Sequence, residues 1–374
     1  MSSLRALMLG AAALGATAIL ASPTFAKDIT KVDLAPNKRG TVADFQPMSK
    51  FCGTKKIKVA LSDGWGGNYW RHITRAEFED EAAKCKNIVE TKYTDGEFKP
   101  EKQIADIEGL IAQHYDVIVT FMDGGAAIDK ATREATQAGV AVVPYDTGDP
   151  STTSPGKIGR DYVDRVTENQ VEVGEQFAAW LAKTLNDKGN VLIFGGTPGN
   201  PMTGAQVIGW KDVFKKYPNI HVLEGEPVPT NWDPALAQQK TAALIAKYPQ
   251  IDGIYSETTG PVRAFLAAGK PVPAYVGQSL MDLSCLAADN KAKFPKMASM
   301  DAHTWMVRLA LRKGVAAAEG INNLEPSIIT IPFTEDNTSK NPKLAIKCDK
   351  QMPADSIPSS MLSRTEQLTA LGGQ

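Results

Sequence analysis

Short runs of β-branched and aromatic residues recur along the chain, at 56–61, 116–121, 140–145, 190–194, 251–255 and 274–276. Each is apolar on both faces, the pattern of a parallel strand covered by helices on either side, not the alternation of a half-solvated strand. Between the runs, apolar positions fall three and four residues apart: Ile104, Ile107 and Ile111; then Ile128, Ala131, Ala135 and Ala138; then Val207, Trp210, Phe214 and Tyr217. Such stripes predict amphipathic helices that cover the sheets. Repeated strand–helix units define an α/β class with doubly wound parallel sheets, which take ligands at the loops beyond the carboxyl ends of their strands. The rhythm breaks in a loop rich in Pro, Ser, Thr and Gly at 148–159 and resumes with a helical pattern at 168–185, which predicts two lobes of similar size. Residues 27–54 and the stretch after 335 lack periodicity and read as extended flanks.

The N-terminus changes the picture of where the chain works. Arg5 precedes an apolar run from Ala6 to Ala21, and small residues stand at Thr24 and Ala26, three and one before Lys27. This is the layout of a cleavable signal peptide over 1–26, and no cysteine adjoins the cleavage position to take a lipid anchor. No other apolar stretch is long enough for a membrane span, which excludes a polytopic transporter. With 41 basic against 42 acidic residues and no polybasic run, the chain does not read as a nucleic-acid binder.

An exported chain meets an oxidising compartment, and four cysteines, Cys52, Cys85, Cys285 and Cys348, allow three pairings. Cys52 with Cys85 and Cys285 with Cys348 is the expected pairing. A helix after a parallel strand runs back, so its end near Cys85 approaches the start of the strand that follows Cys52. Neither the cysteines nor the four histidines, His72, His114, His221 and His303, show a metal-site spacing, and no metal or cofactor is expected.

Candidate chemistry follows the strands. After the first comes Ser62-Asp63-Gly64-Trp65-Gly66-Gly67-Asn68-Tyr69-Trp70, glycines and aromatics opening a helix. Tyr69 and Trp70 there either offer an apolar face with a polar rim to a ligand or close the core. The second and third strands end on Asp123 and Asp146; an ionised carboxylate can accept from two hydroxyls, while Asp123 equally suits a helix N-cap. Further on, Asn231-Trp232-Asp233 sets an aromatic before an Asp-Pro helix start, and Glu257-Thr258, Gln278-Ser279 and Met300-Asp301 end later strands.

Over residues 56–332 the chain resembles the periplasmic sugar-binding proteins of the ribose-binding, LacI-like group, the solute receptors of ABC importers. The residues that carry the resemblance are Asn68-Tyr69-Trp70, Tyr145-Asp146, Glu168-Asn169, Gly209-Trp210, Asn231-Trp232-Asp233 and the run around Asp301. It implies a type I periplasmic binding protein whose aromatics sandwich a sugar while polar side chains bind its hydroxyls. Carried over by position, the residues lining the cleft are Asn68, Trp70, Asp146, Gln206, Trp232, Thr258, Ser279 and Asp301, and Tyr69 and Asp123 of the loops after the strands complete the candidate ligand-binding set. Where relatives often carry arginine this chain has Thr147 and Gln206, and where they hold Asn and Asp it has Thr258 and Ser279, which implies a ligand other than ribose. Three carboxylates near one cleft disfavour an anion.

The resemblance also implies three crossings between lobes, near Thr167, Ala302 and Ser327, and hence a hinge. The expected organisation is a signal peptide at 1–26, an extension at 27–54, a first lobe of 55–167 plus 302–326, a second of 168–301 plus 327–348, and a tail at 349–374. The implied function is a monomeric periplasmic receptor, not an enzyme, that delivers a neutral monosaccharide or polyol to an ABC permease of the inner membrane. A receptor that presents its ligand to a membrane signalling sensor would read the same. The enzyme alternative is a hydrolase at Gly277-Gln278-Ser279-Leu280-Met281, which nearly spells a nucleophile elbow but lacks its last glycine.

Overall fold

A computed structural model describes residue 29, residues 31–146 and residues 156–372. The expected signal peptide and Thr147 lie outside the described residues. After a two-residue strand β1 (Arg39–Gly40), strands and helices alternate: β2 (Ile57–Asp63), α1 (Tyr69–Ala83), β3 (Ile88–Asp95), α2 (Pro100–Ala112), β4 (Val117–Phe121), α3 (Asp129–Gln137) and β5 (Ala141–Pro144). A second series runs from β6 (Thr167–Glu168) through α4 (Gln170–Thr184), β7 (Lys188–Gly195), α5 (Pro201–Phe214), β8 (Asn219–Val222), β9 (Val228–Pro229) and α6 (Pro234–Lys247). It continues with β10 (Gly253–Ser256), α7 (Gly260–Ala267), β11 (Ala274–Gln278), α8 (Met281–Asp289) and β12 (Met297–Met300). The chain then forms α9 (Met306–Glu319), β13 (Ile328–Ile329), β14 (Phe333–Asp336) and α10 (Arg364–Ala370).

The elements sort into three sheets. The first lobe is built on the all-parallel order β3-β2-β4-β5. The second is built on β14-β12-β11-β10-β7-β8, parallel except for β14, which runs antiparallel to β12, with β9 added beside β7. A small parallel sheet, β1-β13-β6, lies where the chain passes from one lobe to the other. Strands β4 and β5 are buried at every residue, as their unbroken apolar runs require.

Contacts distant in sequence complete each lobe. Helix α9 returns from the second lobe to cover β4 and β5, and a Cβ on its Gly314 would sit 2.4 Å from Val117. It is buried on all sides, charges included. Arg308 pairs with Glu77, Asp80 and Glu81 of α1, and Arg312 with Glu81 and the buried Glu325, so each buried charge is matched. In the second lobe α4 and α5 cross with glycines at the contact. A Cβ on Gly174 would lie 2.2 Å from the Gln206 carbonyl, and one on Gly209 1.9 Å from that of Val171.

The flanks are pinned. Leu34, Met48 and Phe51 are buried, and β1 extends the small sheet. The stretch after 335 is tied to the second lobe by Cys285–Cys348 and to the first by Ser360 and Met361, whose Oγ–H and N–H donate to Glu77. The other bridge is Cys52–Cys85, so both disulfides follow the expected pairing.

Candidate functional site

The carboxyl ends of the two large sheets face one cleft. On the first-lobe side, Asn68 caps α1 by accepting the Arg71 N–H at 2.9 Å, which fixes Tyr69, Trp70 and Arg71 in the first helical turn at the cleft wall. Trp70 is 8% exposed, and its indole N–H donates to the Ala302 carbonyl at 2.7 Å, holding its ring against Phe121 and Tyr145. Trp65 stacks on Phe98 at 4.3 Å and extends the aromatic wall.

Beneath this wall Arg71 gathers the polar ends of three strands. Its guanidinium lies 3.4 Å from Asp63, 3.1 Å from Asp123 and 3.3 Å from the Tyr145 hydroxyl, and 3.6 Å above the Phe121 ring. Tyr145 donates to Asp63 at 2.7 Å. Burial pushes the Asp63 carboxyl up to about 6, against the pull of Arg71 and Tyr145. It also raises Asp123, again opposed by Arg71.

The second lobe supplies the opposite wall. Trp232 lies flat on Gly196, where any Cβ would meet its ring at 2.1 Å, and its indole N–H donates to Glu257. Glu257 also accepts from Tyr255 at 2.7 Å and from Gln206 at 3.1 Å. Met202 and Gln278 complete this side.

At the floor, Asp146, Glu168 and His303 come together from three segments. The His303 Nε2 is 3.5 Å from an oxygen of each carboxylate. Burial opposes charge on His303, yet Glu168 and Asp146 raise its pKa well above the usual imidazole range. Burial and Asp146 push Glu168 well above the carboxylate range. Four cleft-lining residues that are not glycine, Phe98, Asp146, Trp232 and His303, hold left-handed backbone with φ of 60, 52, 54 and 44°. Such strain persists only where surrounding contacts impose it.

Of the residues singled out from sequence, Asn68, Tyr69, Trp70, Asp123, Asp146 and Trp232 line the main cleft. Gln206 and Asp301 line a smaller adjoining cavity that shares Glu257, Gln278 and His303 with it. Asp301 accepts from the backbone of His303 at 2.6 Å and the indole of Trp305 at 3.2 Å. Thr258 and Ser279 line neither cavity: both are buried, and in each case the preceding residue, Glu257 or Gln278, faces the cleft. The Ser279 Oγ makes no hydrogen bond among the described residues, so no base holds it in that position. Sequence reasoning passed over Arg71, which directly follows the quoted Asn68-Tyr69-Trp70, and Trp65, which stands in the same loop. It also passed over His303, for which no local motif speaks.

Parallel sheets whose carboxyl edges face each other across a cleft, joined by short bridging strands, define a hinged two-lobed ligand-binding protein. The chain belongs to the periplasmic binding protein domain family, whose model matches residues 59–310. It is 26% identical over 230 residues to a xylitol-binding protein of Mycolicibacterium smegmatis, a match covering 60% of this chain and 61% of that protein. The fold is shared with an ABC transporter solute-binding protein from Thermobispora bispora, at TM-score 0.66 and 23% identity over 85% of this chain and 97% of the other. It is also shared with one from Agrobacterium vitis with bound allitol, at TM-score 0.62 and 20% identity over 76% and 97%.

Proposed function

We propose that the chain is a periplasmic receptor that captures a neutral monosaccharide or polyol between its lobes and delivers it unchanged to an ABC permease of the inner membrane. The observation that carries this reading is the composition of the two walls. Aromatic rings at Trp65, Tyr69 and Trp232 offer apolar faces for C–H groups, while Asn68, Asp123, Asp146, Glu257, Gln278 and Arg71 supply acceptors and donors around them. The surplus of carboxylates favours a ligand that donates many hydrogen bonds, as a polyol does, and opposes an anion. The similarity to a xylitol-binding protein supports the same class. The lobes in this reading are 55–167 plus 302–326 and 168–301 plus 327–348, and the β1-β13-β6 sheet is where they hinge.

The test is a thermal-shift and calorimetric screen of the mature chain against pentitols, hexitols and monosaccharides. Binding to the native state alone adds about 2.7 kcal/mol at a hundredfold excess over Kd. One neutral polyhydroxy compound raises the melting temperature, Trp232→Ala weakens it at least tenfold, and the compound is recovered unchanged after long incubation. Stabilisation by amino acids or anions alone, or turnover of the bound compound, overturns the proposal.

A further inference from the structure

The cluster at the cleft floor has a geometry that hydroxyl recognition does not explain. The His303 Nδ1 lies 3.0 Å from the carbonyl oxygen of Asp301, and because a carbonyl only accepts, Nδ1 carries a proton. Once Nε2 is deprotonated, as a metal-binding imidazole must be, it presents a lone pair to Asp146 Oδ1 and Glu168 Oε1, each at 3.5 Å. Electron pairs converging on one point repel unless positive charge lies between them. The two carboxylate side chains are 3% and 0% exposed; Asp146 Oδ1 and Glu168 Oε2 find no hydrogen-bond donor among the described residues, while Glu168 Oε1 accepts from Gln170 Nε2 and keeps its second lone pair for the centre of the cluster.

We infer that Asp146, Glu168 and His303 form a binding site for a divalent transition-metal ion of the zinc class. Their ligand atoms all lie within 4.8 Å of one another, and with two edges of 3.5 Å and a third no longer than 4.8 Å the point equidistant from all three is about 1.9–2.4 Å from each. That range contains the bond lengths of about 2.0–2.2 Å from zinc to imidazole nitrogen and carboxylate oxygen. One nitrogen with two carboxylates suits zinc, whereas calcium and magnesium take shells of oxygen. The Nδ1–H bond to a backbone carbonyl is the outer contact that orients a metal-binding imidazole and leaves Nε2 free to coordinate. Asp146 and His303 also line the main cleft, so a fourth coordination position opens toward the ligand space. Asp146 follows β5, Glu168 ends β6 and His303 follows β12, so the ion joins the first lobe to two segments that pass between lobes.

The site is tested without any sugar, so its failure is separate from that of the receptor reading. Tag-free mature protein, stripped with a chelator, is titrated with Zn²⁺ by calorimetry, and Co²⁺ is used as a spectroscopic probe. One equivalent of Zn²⁺ binds, His303→Gln and Glu168→Gln each weaken it at least tenfold, and Co²⁺ gives a visible absorption band that His303→Gln removes. Wild-type protein alone gives an independent reading: Co²⁺ broadens the ring signals of His303 before those of His72, His114 or His221. Absence of Zn²⁺ uptake, as expected if a proton alone bridges the cluster, overturns the inference. So does uptake undiminished in both variants, or broadening confined to the other histidines.

Discussion

Arg71→Met removes the one guanidinium that Asp63 and Asp123 share while keeping most of the side-chain volume. A carboxyl whose native pKa is raised holds its proton more tightly folded than unfolded, so it lowers stability as pH rises from its unfolded value through the native one. Asp63 moves from 3.8 to about 6 in the intact protein, which costs about 3 kcal/mol at pH 7. Without Arg71, an Asp63 that stays neutral at pH 7 costs about 4.4 kcal/mol, an increase of about 1.4 kcal/mol. Asp123 loses the same partner, and breaking a buried ion pair costs about 3–5 kcal/mol as a ceiling. The expected loss at pH 7 is therefore about 1.5–4 kcal/mol. At pH 5 the Asp63 carboxyl is protonated with or without Arg71, and its share of the loss falls to about zero. Removing the guanidinium also removes its own burial cost, but that part does not change between the two pH values. Urea denaturation of both proteins at pH 7 and pH 5 reads the difference. A loss that is equal at the two pH values refutes the electrostatic argument and makes Arg71 a packing residue.

Two further predictions follow from the fold. Gly174→Ala places a methyl against the Gln206 carbonyl at the α4–α5 contact and should destabilise the protein by about 1–3 kcal/mol, read as a lower denaturation midpoint; an unchanged midpoint would show that the helices can separate freely. Replacing Cys285 and Cys348 by Ser releases a bridge spanning 63 residues and should cost about 4 kcal/mol on a chain-entropy basis, with earlier proteolysis of the segment after 349; equal stability and equal protection would mean that the contacts to Glu77 hold the tail unaided.

The local pattern was enough for most of the architecture. Buried strands and helix stripes carry their own periodicity, so six of the parallel strands, their helices and the sheet edge where the cleft lies were legible from residues 56–276, whereas β3 and β8, exposed along much of their length, were not. Asn68-Tyr69-Trp70 was legible for the same reason, because an N-cap and the first turn of a helix are decided by residues within four of each other. The cysteine pairing also followed, since the run-back of α1 brings Cys85 to Cys52 whatever the distant chain does.

The rest depends on side chains that meet only when the chain closes on itself. Glu257 and Gln278 face the cleft and their neighbours Thr258 and Ser279 do not, because side chains alternate along a strand and its continuation; a one-residue difference in register exchanges the two. Trp70 is locked by a carbonyl 232 residues away, and Arg71 collects acids from two separate strands. Asp146, Glu168 and His303 share no spacing at all, and only the meeting of β5, β6 and the segment after β12 puts them within 4.8 Å. Sequence alone determined the fully buried strands, the helices that cover them and the edge where the cleft lies, because those depend on short-range periodicity. Tertiary structure decided which side chains share that cleft and how their charges balance, because Coulombic and hydrogen-bond partners are chosen by distance in space.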